Sequence, residues 1–185
     1  MNHLSATPKS LFILQILSLV TIIIGIFFVD TSWTYTIVAI ITFYCYSIFG
    51  VSMMLHRYYS HKSFKLHPVV KWFFTIFAVL AGRGSPIGWV YIHRLHHATS
   101  DTEKDPHSPK FMGRFRAYWQ MSDNDKDIIK YVPDLLRKPL YVFQHKYYFH
   151  VLYPIHLVGL ILLPLQWYWI LLVVPGVLMW LGGSL

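Results

Sequence analysis

Long stretches of this chain contain no Asp, Glu, Lys or Arg, and that property restricts its fold more than any other. Residues 11–29 form the first such run. At roughly 1.5 Å per residue it is just long enough to cross a hydrocarbon layer of about 30 Å as a helix. Residues 33–55 form a second, joined to the first by the short polar turn Asp30-Thr31-Ser32, so the pair reads as a helical hairpin. Residues 147–185 carry no formal charge and are long enough for two more helices, parted near Pro164-Leu165-Gln166. Four spans in two hairpins is the economical count. Composition agrees, since 55% of the residues are apolar and 13% charged, far from the balance of an ordinary soluble domain.

The lone cysteine, Cys45, lies inside an apolar run, which excludes an internal disulfide and reads as a small hydrophobe. Met1 to Ser10 carries only Lys9 and is followed by no small-residue cleavage signature, so the first helix is expected to be retained. The net charge of +8 is concentrated: every basic residue except Lys9 falls between Arg57 and Lys146, with seven of the eight acids. The expected partner is the bilayer, with no nucleic acid. Lys126, Lys130, Arg137 and Lys138 form a basic run suited to a solvated face, lipid headgroups, phosphates or an acidic protein.

Residues 69–92 are apolar enough for a fifth span, yet they hold Lys71, Arg83, Gly82, Gly84, Pro86 and Gly88. Two histidine groups flank this segment: His56-Arg-Tyr-Tyr-Ser-His61 before it and His93-Arg-Leu-His96-His97 after it. A crossing would put them on opposite membrane faces. The positive-inside rule instead assigns Arg57, Lys62 and Lys65, and also Lys104, Lys110, Arg114 and Arg116, to the cytoplasmic side. Residues 69–92 are therefore expected to be a re-entrant or interfacial helical segment, its irregular backbone buried in protein. The resulting expectation is a single domain over residues 1–185, an all-α, multi-pass integral membrane protein. It comprises about four transmembrane helices in two hairpins, the re-entrant segment and a cytoplasmic helical histidine region.

Ionisable side chains beside lipid call for a functional reason. On a helix, His93, His96 and His97 fall within about 60° of one another, because spacings of three and four share a face. His56 and His61, five apart, would diverge by about 140° on a regular α-helix and converge only if the helix end is distorted. Together the groups offer five imidazoles, which suit iron, copper, zinc or nickel, and no thiolate. Five exceed the four ligands of one tetrahedral zinc, so a redox-active metal pair fits better. The plain readings are surface or interfacial histidines for these five, a loop residue for His67, a hydrogen-bonding partner for His107, and tail, interface and core for His3, His150 and His156. His145 and His150 repeat a wide spacing but are not counted as ligands. Trp167, Tyr168 and Trp169 read as interface-belt residues.

His56-Arg-Tyr-Tyr-Ser-His61, followed by His93-Arg-Leu-His96-His97-Ala-Thr-Ser-Asp-Thr-Glu-Lys-Asp-Pro-His-Ser-Pro109, resembles the first two histidine boxes of the membrane fatty-acid desaturases. The nearest likeness is to the acyl-CoA Δ9, stearoyl-CoA-type branch and its bacterial members. It extends through Gly84-Ser85-Pro86, Trp89 and Pro139-Leu140-Tyr141 to Tyr148, and covers the chain from about residue 35 onward. The resemblance implies a non-haem centre of two irons held by His56, His61, His93, His96 and His97. Asp101, Glu103, Asp105 and His107 would then orient ligand imidazoles or touch a substrate headgroup. It also implies O₂-dependent removal of two hydrogens from a saturated long-chain acyl-CoA or acyl-lipid, leaving a cis double bond. Electrons would come from a donor such as ferredoxin or cytochrome b5 with its reductase.

A third box of His-Asn-x-His-His type is expected after the last span, and this sequence stops at Leu185 before it. The expectation is thus a C-terminally truncated member. Two alternatives stand beside an active desaturase: a catalytically incomplete relative that binds metal or lipid in the membrane, and a related membrane hydroxylase. The Ser-Asp-Thr-Glu-Lys-Asp-Pro-His stretch argues against the hydroxylase.

Overall fold

The computed structural model describes residues 8–29, 32–118 and 127–182. The polar turn at Asp30 and Thr31, His3, Lys126 and the tail from residue 183 lie outside the described residues. Among the described residues every regular element is a helix and there is no strand.

The apolar runs become helices where expected. Helix α1 is Pro8–Gly25 and α2 is Trp33–Ser60, the latter the one described helix both long and apolar enough to cross a membrane. Two further apolar helices follow late in the chain: α6 (Tyr148–Leu162), preceded by α5 (Pro139–Lys146), and a continuous helical run α7 over residues 165–182. They part at Leu163 and Pro164, because a proline nitrogen cannot continue the hydrogen-bond ladder. These helices turn large apolar side chains outward, Leu17 58% and Leu162 72% exposed, a surface suited to apolar surroundings.

Residues 69–92 form two helices, α3 (Pro68–Leu80) and α4 (Pro86–Thr99), both packed on the C-terminal half of α2. Each starts on a proline, whose missing N–H costs nothing in the first turn. The His67 ring accepts from the Val69 N–H at 3.4 Å, so this loop residue caps α3. Ser85 caps α4, its hydroxyl accepting from Gly88 N–H at 3.1 Å and lying 2.6 Å from His145 Nδ1 on α5. The turn between them uses Gly82 at φ 69° and Gly84 at φ 86°, a left-handed backbone that a side chain disfavours. Gly84, Ser85 and Pro86 are buried, which meets the condition that irregular backbone be enclosed by protein. Lys71 Nζ sits 4.3 Å from the Trp72 ring centroid, and Arg83 is buried in the turn.

Helices α2 and α3 approach closely at Gly50, where a Cβ would lie 2.7 Å from the backbone oxygen of Phe77. One core lies under the histidines, where Met54 and Leu55 of α2 meet Ala78 of α3, Ile87, Val90 and Leu95 of α4, and Val132 and Leu135. Each such buried Leu, Ile, Val or Met side chain contributes on the order of 1.5–3 kcal/mol. A second core joins α2 to α3, α6 and α7 through Tyr46, Val79, Tyr148 and Met179. Its two tyrosines each donate to a distant carbonyl, Tyr46 to Leu171 O at 2.9 Å and Tyr148 to Val79 O at 3.0 Å. The buried phenols are thereby satisfied as they fix helix register.

Candidate metal centre

The lower half of α2, Tyr46–Ser60, is wound as a π-helix. Its hydrogen bonds close over five residues rather than four, as where His61 N–H donates to His56 O at 3.1 Å. Residues five apart therefore stack one turn above the other. His56 and His61, which a regular α-helix would splay, come to 3.2 Å between their Nε2 atoms.

Helix α4 supplies the other half. His93 and His97 stand one turn apart and meet at 3.1 Å, and His61 Nε2 reaches His93 Nε2 at 3.0 Å. One ring nitrogen from each of His56, His61, His93 and His97 lies within 4.8 Å of all the others. Ligands about 2.1 Å from a shared ion stand roughly 3–4 Å apart, so a small contraction would close the set. Hydrogen bonds do not account for the cluster. Each Nε2 directs a single N–H or lone pair in the ring plane, and His61 and His93 each face two partners. Burial, and then the neighbouring imidazoles, lower the His93 pKa to about 3, so its ring is neutral with a lone pair to give. Trp89, one turn before it on α4, stacks on the His93 ring at 4.7 Å and 19°. Four converging imidazoles fit a first-row transition-metal cation.

His96 stands outside that group. Its Nδ1 lies 2.8 Å from Asp105 Oδ1, which sets Nδ1 as the donor and leaves Nε2 with the free lone pair. The Asp105 carboxylate is buried and also accepts from the backbone N–H groups of His107 at 2.8 Å and Asp101 at 3.1 Å. Burial raises its pKa, but these bonds outweigh that and hold it below the usual carboxylate range. Asp101 adopts φ 62° to direct its N–H there. The His107 ring packs edge-on to His96 at 5.4 Å, and burial first, then His96, takes its pKa down to about 4. Glu103 is exposed.

Two residues that support the site were not singled out from sequence. Arg94, between the ligand-bearing turns of α4, donates to Tyr59 O, Ser60 O and Tyr131 O, and pairs with both oxygens of Asp134. Lys62 Nζ reaches Asp134 at 3.1 Å. Burial raises the Asp134 pKa, yet Arg94 and Lys62 more than reverse it, down to about 2. The arginine inside a histidine motif was the available signal; Asp134, within the short helix Pro133–Leu136, had none.

The helical fold brings imidazoles from the end of a long apolar helix against those of a second helix, a candidate histidine-built metal centre. This chain belongs to the fatty acid desaturase family, whose model matches residues 31–185. It is 32% identical over 123 residues to the sn-1 stearoyl-lipid 9-desaturase of Anabaena variabilis, covering 65% of this chain and 45% of that protein. It is 43% identical over 72 residues to Delta-9 acyl-lipid desaturase 2 of Arabidopsis thaliana, covering 38% and 24%. To the acyl-CoA Delta(11) desaturase of Trichoplusia ni it is 32% identical over 127 residues, covering 65% and 36%. In each of these alignments less than half of the curated relative is spanned. No solved structure matches the chain.

Proposed function

We propose that the chain is the metal-binding part of a fatty acyl desaturase, which introduces a cis double bond, at Δ9, into a saturated long-chain acyl-CoA or acyl-lipid. The observation that carries this reading is the four-imidazole cluster in a member of the family. His56, His61, His93 and His97 would hold iron. His96 would present Nε2 to a second iron, its ring turned by the Asp105 carboxylate. Bound iron supplies O₂ activation, chemistry that protein side chains lack.

The residues of this chain do the rest. The imidazoles bind as neutral donors, and the stacked indole of Trp89 shields one side of His93 from water. Asp105 fixes a tautomer and a ring orientation at His96. The apolar helices fit a multi-pass position in the bilayer as one domain, with both histidine groups on the cytoplasmic side beside the basic residues. That basic side suits an acidic electron-donor protein, such as ferredoxin or cytochrome b5 with its reductase, and the phosphates of a carrier or headgroup.

The test is iron content per chain of the purified, detergent-solubilised protein, alongside conversion of a saturated acyl-CoA and a saturated acyl-lipid with reductant and O₂. About two irons, lost on His61→Ala, together with an unsaturated product, is the expected result. A chain that takes up no iron at these histidines would overturn it.

A further inference from the structure

We propose that Arg94 and Asp134 are a positioning pair that sets the gap between the two histidine pairs, making the segment around residues 128–136 a working part of the metal centre. The proposal rests on the reading of the cluster as a metal site.

The cluster is assembled from two helices, and its critical spacing is the 3.0 Å approach of His61 to His93. Neither ring can hold that distance for itself. The next residue after His93 is Arg94, whose guanidinium reaches across to the last turn of α2. Its Nη2 donates to Tyr59 O at 2.8 Å and its Nε to Ser60 O at 3.1 Å, the two carbonyls immediately before His61. Arg94 thus ties the backbone of one ligand pair to the helix of the other. Guanidinium donors are arranged in a rigid plane, so fixing the plane fixes both contacts.

Asp134 fixes the plane. It takes Arg94 Nη1 at 2.7 Å and Nη2 at 3.2 Å, a fork-to-fork pairing that leaves little rotation. It also draws Lys62 Nζ to 3.1 Å. Lys62 directly follows His61 and has φ 54°, a left-handed conformation that a residue with a side chain disfavours. Its ion pair ties the residue directly after His61 to the same carboxylate. One carboxylate therefore braces His61 from behind and His93 through its neighbour. Tyr131 O, accepting Arg94 Nη1 at 2.8 Å, adds a second tie to the same segment.

The experiment compares the whole chain with Arg94→Lys, Asp134→Asn, Lys62→Met and Leu152→Ala in detergent. Cobalt(II) is titrated as the probe, and its visible ligand-field bands report coordination geometry; melting of the metal-free protein is followed separately. Leu152 is buried in the second core, remote from the pair, and controls for lost stability. Arg94→Lys and Asp134→Asn are expected to weaken cobalt binding roughly 10–100-fold and shift the bands, as loss of partners behind ligands does. Lys62→Met, at a mostly exposed side chain, keeps the fold and is expected to weaken binding by about threefold. Leu152→Ala is expected to lower the melting temperature with bands unmoved. Wild-type affinity and bands in Arg94→Lys and Asp134→Asn would overturn the positioning role. Failure of the unaltered chain to bind cobalt in a His61-dependent way would instead overturn the metal reading on which it rests.

Discussion

The Nε2 atoms of His61 and His93 lie 3.0 Å apart although 32 residues separate them in the chain. Between them run α3, a buried turn and the first half of α4. That contact ties the end of the long apolar helix α2 to the start of the second histidine group.

Substitution of His61 or His93 by alanine is expected to abolish tight metal binding, since each faces two of the other imidazoles. His156→Ala is expected to leave metal content unchanged, because that ring lies 3.3 Å from the Tyr168 hydroxyl on another part of the bundle. Metal analysis of the purified variants decides it, and undiminished metal in His61→Ala would count against the site.

Asp105→Asn replaces an acceptor of three hydrogen bonds by a group that also donates, so His96 loses the fixed tautomer. Metal affinity at His96 is expected to fall roughly 10–100-fold while the cluster of four is retained. Metal stoichiometry and titration in His96→Ala and Asp105→Asn should agree with each other and differ from His61→Ala.

At Gly50 a methyl group would meet the carbonyl of Phe77, a backbone atom that cannot swing aside. Gly50→Ala is expected to separate α2 from α3 and cost on the order of 1–3 kcal/mol, as overpacking does. Thermal melting in detergent measures the loss; an unchanged melting temperature would contradict the close approach.

The Asp134 pKa is held at about 2 in the folded protein, below the roughly 3.9 of an unfolded chain. Because the folded value is depressed, the stabilisation is complete above about pH 4 and lost as pH falls toward 2. Allowing for partial exposure of the carboxylate, it amounts to about 1–2 kcal/mol. Stability measured against pH should fall over that window in the wild type, and Asp134→Asn should remove that part of the fall.

The chain's own sequence determined its helices and the kind of chemistry they carry. Uncharged runs near 11–29, 33–55 and 147–182 became α1, α2, α6 and α7, since a backbone buried in apolar surroundings must satisfy its hydrogen bonds within a helix. Pro164 parted the last two, and the i, i+4 spacing of His93 and His97 put both rings on one face. Tertiary structure decided which side chains meet. A spacing of five reads as divergent at the α-helical period, and only the π-wound end of α2 aligned His56 with His61. His96 shares its helix face with His93 and His97, but the carboxylate of Asp105, on the following loop, turned it away. Asp134 had no local pattern to mark it. Periodicity reports the faces of one helix at a time, whereas an ion-pair hub and a metal cluster depend on distances set by packing between helices.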